Sequence, residues 1–65
     1  MEPVITEDRA AELLGLSPRT LQRFRVEGRG PQFVKLGKRV VYLETDLRAY
    51  VEASRRRSTS DQPAA

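Results

Sequence analysis

Residues 10–26 read AAELLGLSPRTLQRFRV, and this stretch decides the fold. It contains two helical patterns of apolar residues, separated only by Gly15 and Leu16. Gly15 predicts the end of the first helix, because glycine readily adopts the left-handed conformation found at helix C-termini. Ser17 and Pro18 predict the start of the second helix, because serine caps free amides and proline is tolerated at the first helical position. The sequence therefore predicts two helices joined by a tight turn.

The two helices are expected to pack through one apolar face each. Thr6 can cap the first helix, and Ile5 can contact Ala10 across its first turn. The residues expected to form the interface are Ala10, Leu13 and Leu14 from the first helix, Leu16 from the turn, and Leu21 and Phe24 from the second helix. This packing turns four polar residues of the second helix outward: Arg19, Thr20, Gln22 and Arg23.

A β-hairpin is predicted next. Residues 27–31 contain two glycines and a proline, which end the second helix. Beyond them the apolar period changes to two, as in a half-buried hairpin. We expect a three-residue turn at Gly37, Lys38 and Arg39, because this turn places four apolar residues on one face. These residues are Val34, Leu36, Val40 and Tyr42.

A third helix is predicted to close the core. Thr45 is expected to cap it, and its apolar stripe contains Leu47, Tyr50 and Val51. Arg55–Arg57 are expected to end this helix, where cations suit the helix dipole. Residues 58–65 have no apolar anchor and are expected to form a disordered tail. Residues 1–57 would then form one domain.

Positive charge is concentrated in the middle of the chain. The whole sequence has 65 residues and a net charge of +3. Residues 17–41 contain seven basic residues and one acidic residue, whereas residues 1–16 contain one basic and four acidic residues. The predicted second helix and hairpin therefore carry the positive charge, which indicates an anionic partner.

These elements, in this order, predict a mainly α-helical domain with a small β-hairpin: a winged helix-turn-helix with a two-stranded wing and a closing helix. Such a domain can place its second helix, Ser17–Val26, in the major groove of double-stranded DNA. Arg19 and Arg23 would then pair with guanine and Gln22 with adenine. The predicted DNA contacts are Ser17, Arg19, Thr20, Gln22, Arg23, Arg25, Lys35, Lys38 and Arg39, and Arg29 is expected to help position the duplex.

The chain also resembles a known family, the small winged-helix proteins of the excisionase and AlpA-like type, which are related to the MerR DNA-binding domain. The resemblance lies in residues 10–21 (AAELLGLSPRTL), 27–31 (EGRGP), 33–40 (FVKLGKRV) and 46–50 (DLRAY). It implies DNA contacts from Arg19, Thr20, Gln22 and Arg23 and from the wing at Lys38 and Arg39. Many relatives have a basic residue before the aromatic of the second wing strand, where this chain has Val41.

Several roles are compatible with these features. The first is an excisionase-like recombination directionality factor that bends attachment-site DNA to favour excision by an integrase, with the integrase and further copies of the chain as its partners on DNA. The alternatives are a small transcriptional regulator and a protein-interaction module. An enzyme is not expected, because the chain contains no histidine or cysteine. No cofactor, metal or small-molecule ligand is expected, no stretch suits a membrane span, and a cytoplasmic location fits the lack of cysteine.

Overall fold

Three helices and a three-stranded antiparallel sheet make up the fold. The structure is a computed structural model and describes residues 3–56. The elements in chain order are β1 (Val4–Thr6), α1 (Glu7–Leu14), α2 (Pro18–Val26), β2 (Val34–Leu36), β3 (Arg39–Leu43) and α3 (Glu44–Ala53). This is a winged helix-turn-helix, which confirms the predicted fold class. None of the helices in the described part is long and apolar enough to cross a membrane.

The turn between α1 and α2 forms as the sequence predicts. The Thr6 hydroxyl oxygen accepts a hydrogen bond from the amide of Arg9 at 3.2 Å and caps α1. Gly15 ends α1 with φ of 71°, and the amide of Leu16 donates to the carbonyl of Ala11 at 2.9 Å. This bond and a second one, from the Gly15 amide to the carbonyl of Glu12, satisfy two of the carbonyls in the last turn of α1. The chain is therefore redirected within two residues.

The sheet contains a strand that the sequence analysis did not predict. β3 is the central strand, with β1 and β2 on either side of it. The β1 strand is only three residues long, and Ile5 at its centre pairs with Tyr42. Its apolar signal is too short to distinguish a strand from a segment leading into a helix cap. The wing hairpin is thus extended into a three-stranded sheet.

The predicted hairpin turn and its register are wrong. Leu36 pairs with Arg39, so the turn contains two residues, Gly37 and Lys38. Gly37 has φ of 63°, and all residues with a positive φ in the described part are glycines. A two-residue hairpin with glycine first is favoured because its twist matches that of the strands.

This register also changes which residues share a face. Val34 pairs with Val41, whereas Tyr42 lies on the opposite face of β3, so the four predicted residues are not on one face. Val41 and Tyr42 are both fully buried, and Leu36 is about half exposed. The centre of β3 is therefore buried on both of its faces.

The core lies between the helices and the sheet. It is a cluster of five buried residues: Ala10, Ala11, Leu21, Tyr42 and Leu47. On α1, the prediction is correct for Ala10 and wrong for Leu13, which is 54% exposed, whereas the unpredicted Ala11 is fully buried. The buried face of α1 therefore consists of two small alanine side chains, and Leu13 lies outside it.

The boundaries of α3 also differ from the prediction. The helix begins at Glu44 after Leu43, so Thr45 lies within the first turn and is not the cap. It ends at Ala53, and the Ser54 hydroxyl donates to the carbonyl of Tyr50 at 2.8 Å. The described basic residues of the 55–57 run therefore follow the helix. Arg57 and the tail predicted at residues 58–65 lie outside the described residues.

Candidate nucleic-acid interface

The outward face of α2 carries three of the predicted contacts. Arg19, Gln22 and Arg23 are spaced by three and four residues, so their side chains lie on one side of the helix, and all three are exposed. Leu21 faces the other way and is fully buried. Packing of Leu21 in the core therefore determines that this polar face points to solvent.

The N-terminus of α2 holds the next two predicted contacts. The Ser17 hydroxyl accepts a hydrogen bond from the Thr20 amide at 3.1 Å and donates one to the Thr20 hydroxyl at 2.9 Å. Ser17 is exposed and Thr20 is half-buried. Ser17 caps the helix and Thr20 lies in its first turn, so both residues are beside the end of α2 at which helical amides point outward.

The wing carries three more of the predicted contacts. Lys38 lies in the two-residue turn, Arg39 begins β3, and Lys35 is central in β2. All three are exposed. The structure thus divides the predicted contacts between an exposed helix face and an exposed hairpin.

Ion pairing separates these cations from the other basic residues. Within residues 3–56, five arginines are paired with carboxylates: Arg9 with Glu12, Arg25 with Glu7, Arg29 with Glu27, Arg48 with Glu44 and Arg55 with Glu52. The cations of this segment that have no side-chain hydrogen bond or ion pair are Arg19, Arg23, Lys35, Lys38 and Arg39. Arg56 donates to backbone carbonyls, at 2.9 Å for that of Arg55. Uncompensated positive charge is therefore concentrated on α2 and the wing.

Arg25 differs from the other predicted contacts. Its Nε donates to Oε2 of Glu7 at 2.9 Å, and the hydroxyl of Tyr42 donates to the same oxygen at 3.1 Å. The guanidinium carbon lies 5.7 Å from the ring centroid of Phe33, and the Arg25 side chain is only 20% exposed. Arg25 thus links α2 to α1 and the sheet, and its charge is compensated.

This cluster changes the acid–base properties of its members. Hydrogen bonding to Glu7 raises the pKa of Arg25 above its usual value. Burial, together with the hydrogen bond to Glu7, raises the pKa of Tyr42 to about 12. This cluster was not predictable from the sequence, because Glu7 is 18 residues from Arg25 and 35 from Tyr42. The only sequence signal was the position of Glu7 after the cap of α1, which is explained equally well by the helix dipole.

Arg29 also interacts with other side chains of the protein, although it is exposed. It pairs with Glu27 at 2.8 Å, and its guanidinium carbon lies 4.4 Å from the ring centroid of Phe24. Stacking on an aromatic ring favours a cation at this position. Arg25, near the end of α2, and Arg29, which follows the helix, therefore both have intramolecular partners.

Comparisons with known proteins agree with this geometry. A family model described as a helix-turn-helix domain matches residues 4–55, which include every helix and strand described above. A search of the curated proteins returned no match. The family match confirms the resemblance to the excisionase and AlpA-like type. The chain therefore belongs to the helix-turn-helix domain family and is a DNA-binding helix-turn-helix protein.

Proposed function

We propose that the chain binds double-stranded DNA sequence-specifically, with α2 in the major groove and the tip of the wing on the adjacent backbone. The observation that carries this proposal is the distribution of unpaired cations. Arg19 and Arg23 lie on the exposed face of α2, and Lys38 and Arg39 lie at the wing tip. Cations without carboxylate partners are available to neutralise phosphates or to pair with bases.

The α2 helix supplies the base contacts in this proposal. Arg19 and Arg23 are four residues apart, which corresponds to about 6 Å along the helix axis. This distance is about two base-pair steps, at about 3.4 Å per step. The two guanidinium groups can therefore pair with guanines about two steps apart, and Gln22 can pair with an adenine between or beside them.

The remaining groups position the duplex. Ser17, Thr20 and the first amides of α2 can hold one phosphate, because helix N-termini favour anions. Lys35, Lys38 and Arg39 add backbone contacts from the wing. Arg25 is assigned a supporting role, because Glu7 already binds its guanidinium.

The salt dependence of binding follows from the number of unpaired cations. Three of them, Lys35, Lys38 and Arg39, are assigned to phosphates here, so the plot of log affinity against log salt is expected to have a slope of about −2.7. Arg39→Gln is expected to reduce the steepness by about 0.9. Arg48→Gln is the matched control because Arg48 lies on α3 and is paired with Glu44, and it is expected to leave the slope unchanged.

The biological role that we propose is that of an excisionase-like recombination directionality factor acting in the cytoplasm. The family resemblance supports this role, and so does a small unit that contacts DNA through both a helix and a wing. Two separated contact surfaces can repay the cost of bending DNA, which is about 1–6 kcal/mol for a bend of 40–90°. Adjacent copies on tandem sites would add to the bend, and an integrase would use the bent DNA.

Enrichment of bound genomic fragments tests the proposal. The native protein is compared with an Arg19→Ala, Arg23→Ala variant and with an Arg9→Ala, Arg48→Ala control, which removes the same number of charges from α1 and α3. Tandem sites beside an integrase attachment region, lost only in the first variant, are the expected result. Enrichment of promoter sites would support a transcriptional regulator instead. Equal enrichment by all three proteins would refute the assignment of α2.

A further inference from the structure

One apolar side chain on the face of α2 that carries Arg19 and Arg23 lies outside the core. Val26, the last residue of α2, is 75% exposed. The other large hydrophobic residues that are exposed in residues 3–56 are 42–54% exposed. An isolated exposed valine is common on protein surfaces, so its position on the helix determines what it can contact.

Val26 continues the line of predicted base contacts. It lies seven residues after Arg19 and three after Arg23, which places all three side chains on the same face of α2. The rise from Arg23 to Val26 is about 4.5 Å, or a little more than one base-pair step. With α2 in the major groove, Val26 therefore reaches the base pair next to the one read by Arg23.

The chemistry of the groove identifies the ligand group. Among the four bases, only thymine presents a methyl group in the major groove, and the other edge groups there are hydrogen-bond donors and acceptors. Valine has no polar atom with which to satisfy those groups. A valine placed against a donor or acceptor would displace water without replacing its hydrogen bond, whereas against a methyl group it gains apolar contact.

We propose that Val26 is a specificity-determining residue that contacts the C5 methyl group of a thymine, adjacent to the base pair read by Arg23. This proposal rests on the proposed function, because it requires α2 to lie in the major groove. It adds a preference that hydrogen-bonding residues alone do not provide.

Replacement of thymine by uracil tests this inference, because it removes only the methyl group. On the duplex that the native protein selects, each thymine is replaced in turn and the dissociation constant is measured. One replacement is expected to weaken binding by the native protein about fourfold, the equivalent of one buried methyl group. Val26→Ala is expected to bind the unmodified duplex about as weakly as the native protein binds the uracil-containing duplex. Its binding is expected to be insensitive to the same replacement.

The control variant is Val51→Ala, which removes an equally large side chain from α3, where Val51 is 49% exposed. It is expected to keep the full sensitivity to uracil. Sensitivity retained by Val26→Ala at every position, or absent from the native protein, would overturn the inference. If the Val26 test gives one of these negative results while the Arg19→Ala, Arg23→Ala variant loses binding, only the role of Val26 fails. If that variant binds like the native protein, the proposed function fails.

Discussion

Ionisation of the Tyr42 hydroxyl is expected to destabilise the protein at alkaline pH. Tyr42 is fully buried and donates a hydrogen bond to Glu7 at 3.1 Å. Burial and this hydrogen bond raise the pKa of Tyr42 from 10.0 to about 12. Because the folded-state pKa lies above the unfolded-state value, the stabilisation is fully present below about pH 10 and is lost as the pH rises toward about 12.

The magnitude follows from the shift in the pKa of Tyr42. A shift of about two units corresponds to about 3 kcal/mol in the free energy of unfolding, and about 1.4 kcal/mol of this is lost by about pH 11. A chain of this length has a total stability of about 3–10 kcal/mol. Alkaline unfolding should therefore follow the ionisation of Tyr42.

Urea unfolding at pH 8 and at about pH 11 tests this prediction on three proteins. Tyr42→Phe should be less stable than the native protein at pH 8 by about 1.5–3 kcal/mol, because it loses a hydrogen bond to a charged group. It should also lose about 1.4 kcal/mol less between the two pH values. Tyr50→Phe is the control, because the Tyr50 hydroxyl has no hydrogen bond with another described residue. Equal losses for the native protein and Tyr42→Phe would refute the reasoning.

Three further predictions concern the helix-turn-helix and the wing. Leu21→Ala should cost about 2–5 kcal/mol of unfolding free energy, because Leu21 is fully buried, and a cost below about 1 kcal/mol in urea unfolding would contradict the assigned core. Thr6→Ala should cost about 1 kcal/mol through loss of the α1 cap, whereas Thr6→Ser should be nearly neutral in the same assay. Gly37→Ala should lower the thermal midpoint by straining a φ of 63°, at a cost of about 1–2 kcal/mol, and Gly37→Asn should cost less because asparagine tolerates this conformation. An equal effect of the two Gly37 variants would show that the strain is not conformational.

The helix-turn-helix was predictable because its signals are local. The cap at Ser17, the proline after it and the left-handed Gly15 act on the nearest few backbone groups, wherever the rest of the chain lies. The outward face of α2 followed from the helical period and the position of Leu21. The structure places Arg19 and Arg23 on that face, and their contacts with DNA remain a prediction.

The sheet was predicted less accurately because pairing between strands is not local. The register depends on whether the turn has two or three residues. A shift of the register by one residue moves every side chain of the strand to the opposite face of the sheet. Burial of Val41 also depends on β1, which reaches β3 from the other end of the chain. The alternation of apolar residues within the hairpin could not indicate that second neighbour.

The sequence by itself determined the order of the three helices and the wing hairpin, the tight turn between α1 and α2, and the concentration of positive charge between residues 17 and 41. These properties depend on residues close together in the chain. Only the tertiary structure decided which cations are compensated, because it brings Glu7 to Arg25 and leaves Arg19, Arg23 and Lys38 without a partner in the described part. An ion pair forms through space at a few ångströms, and the sequence alone does not give that distance.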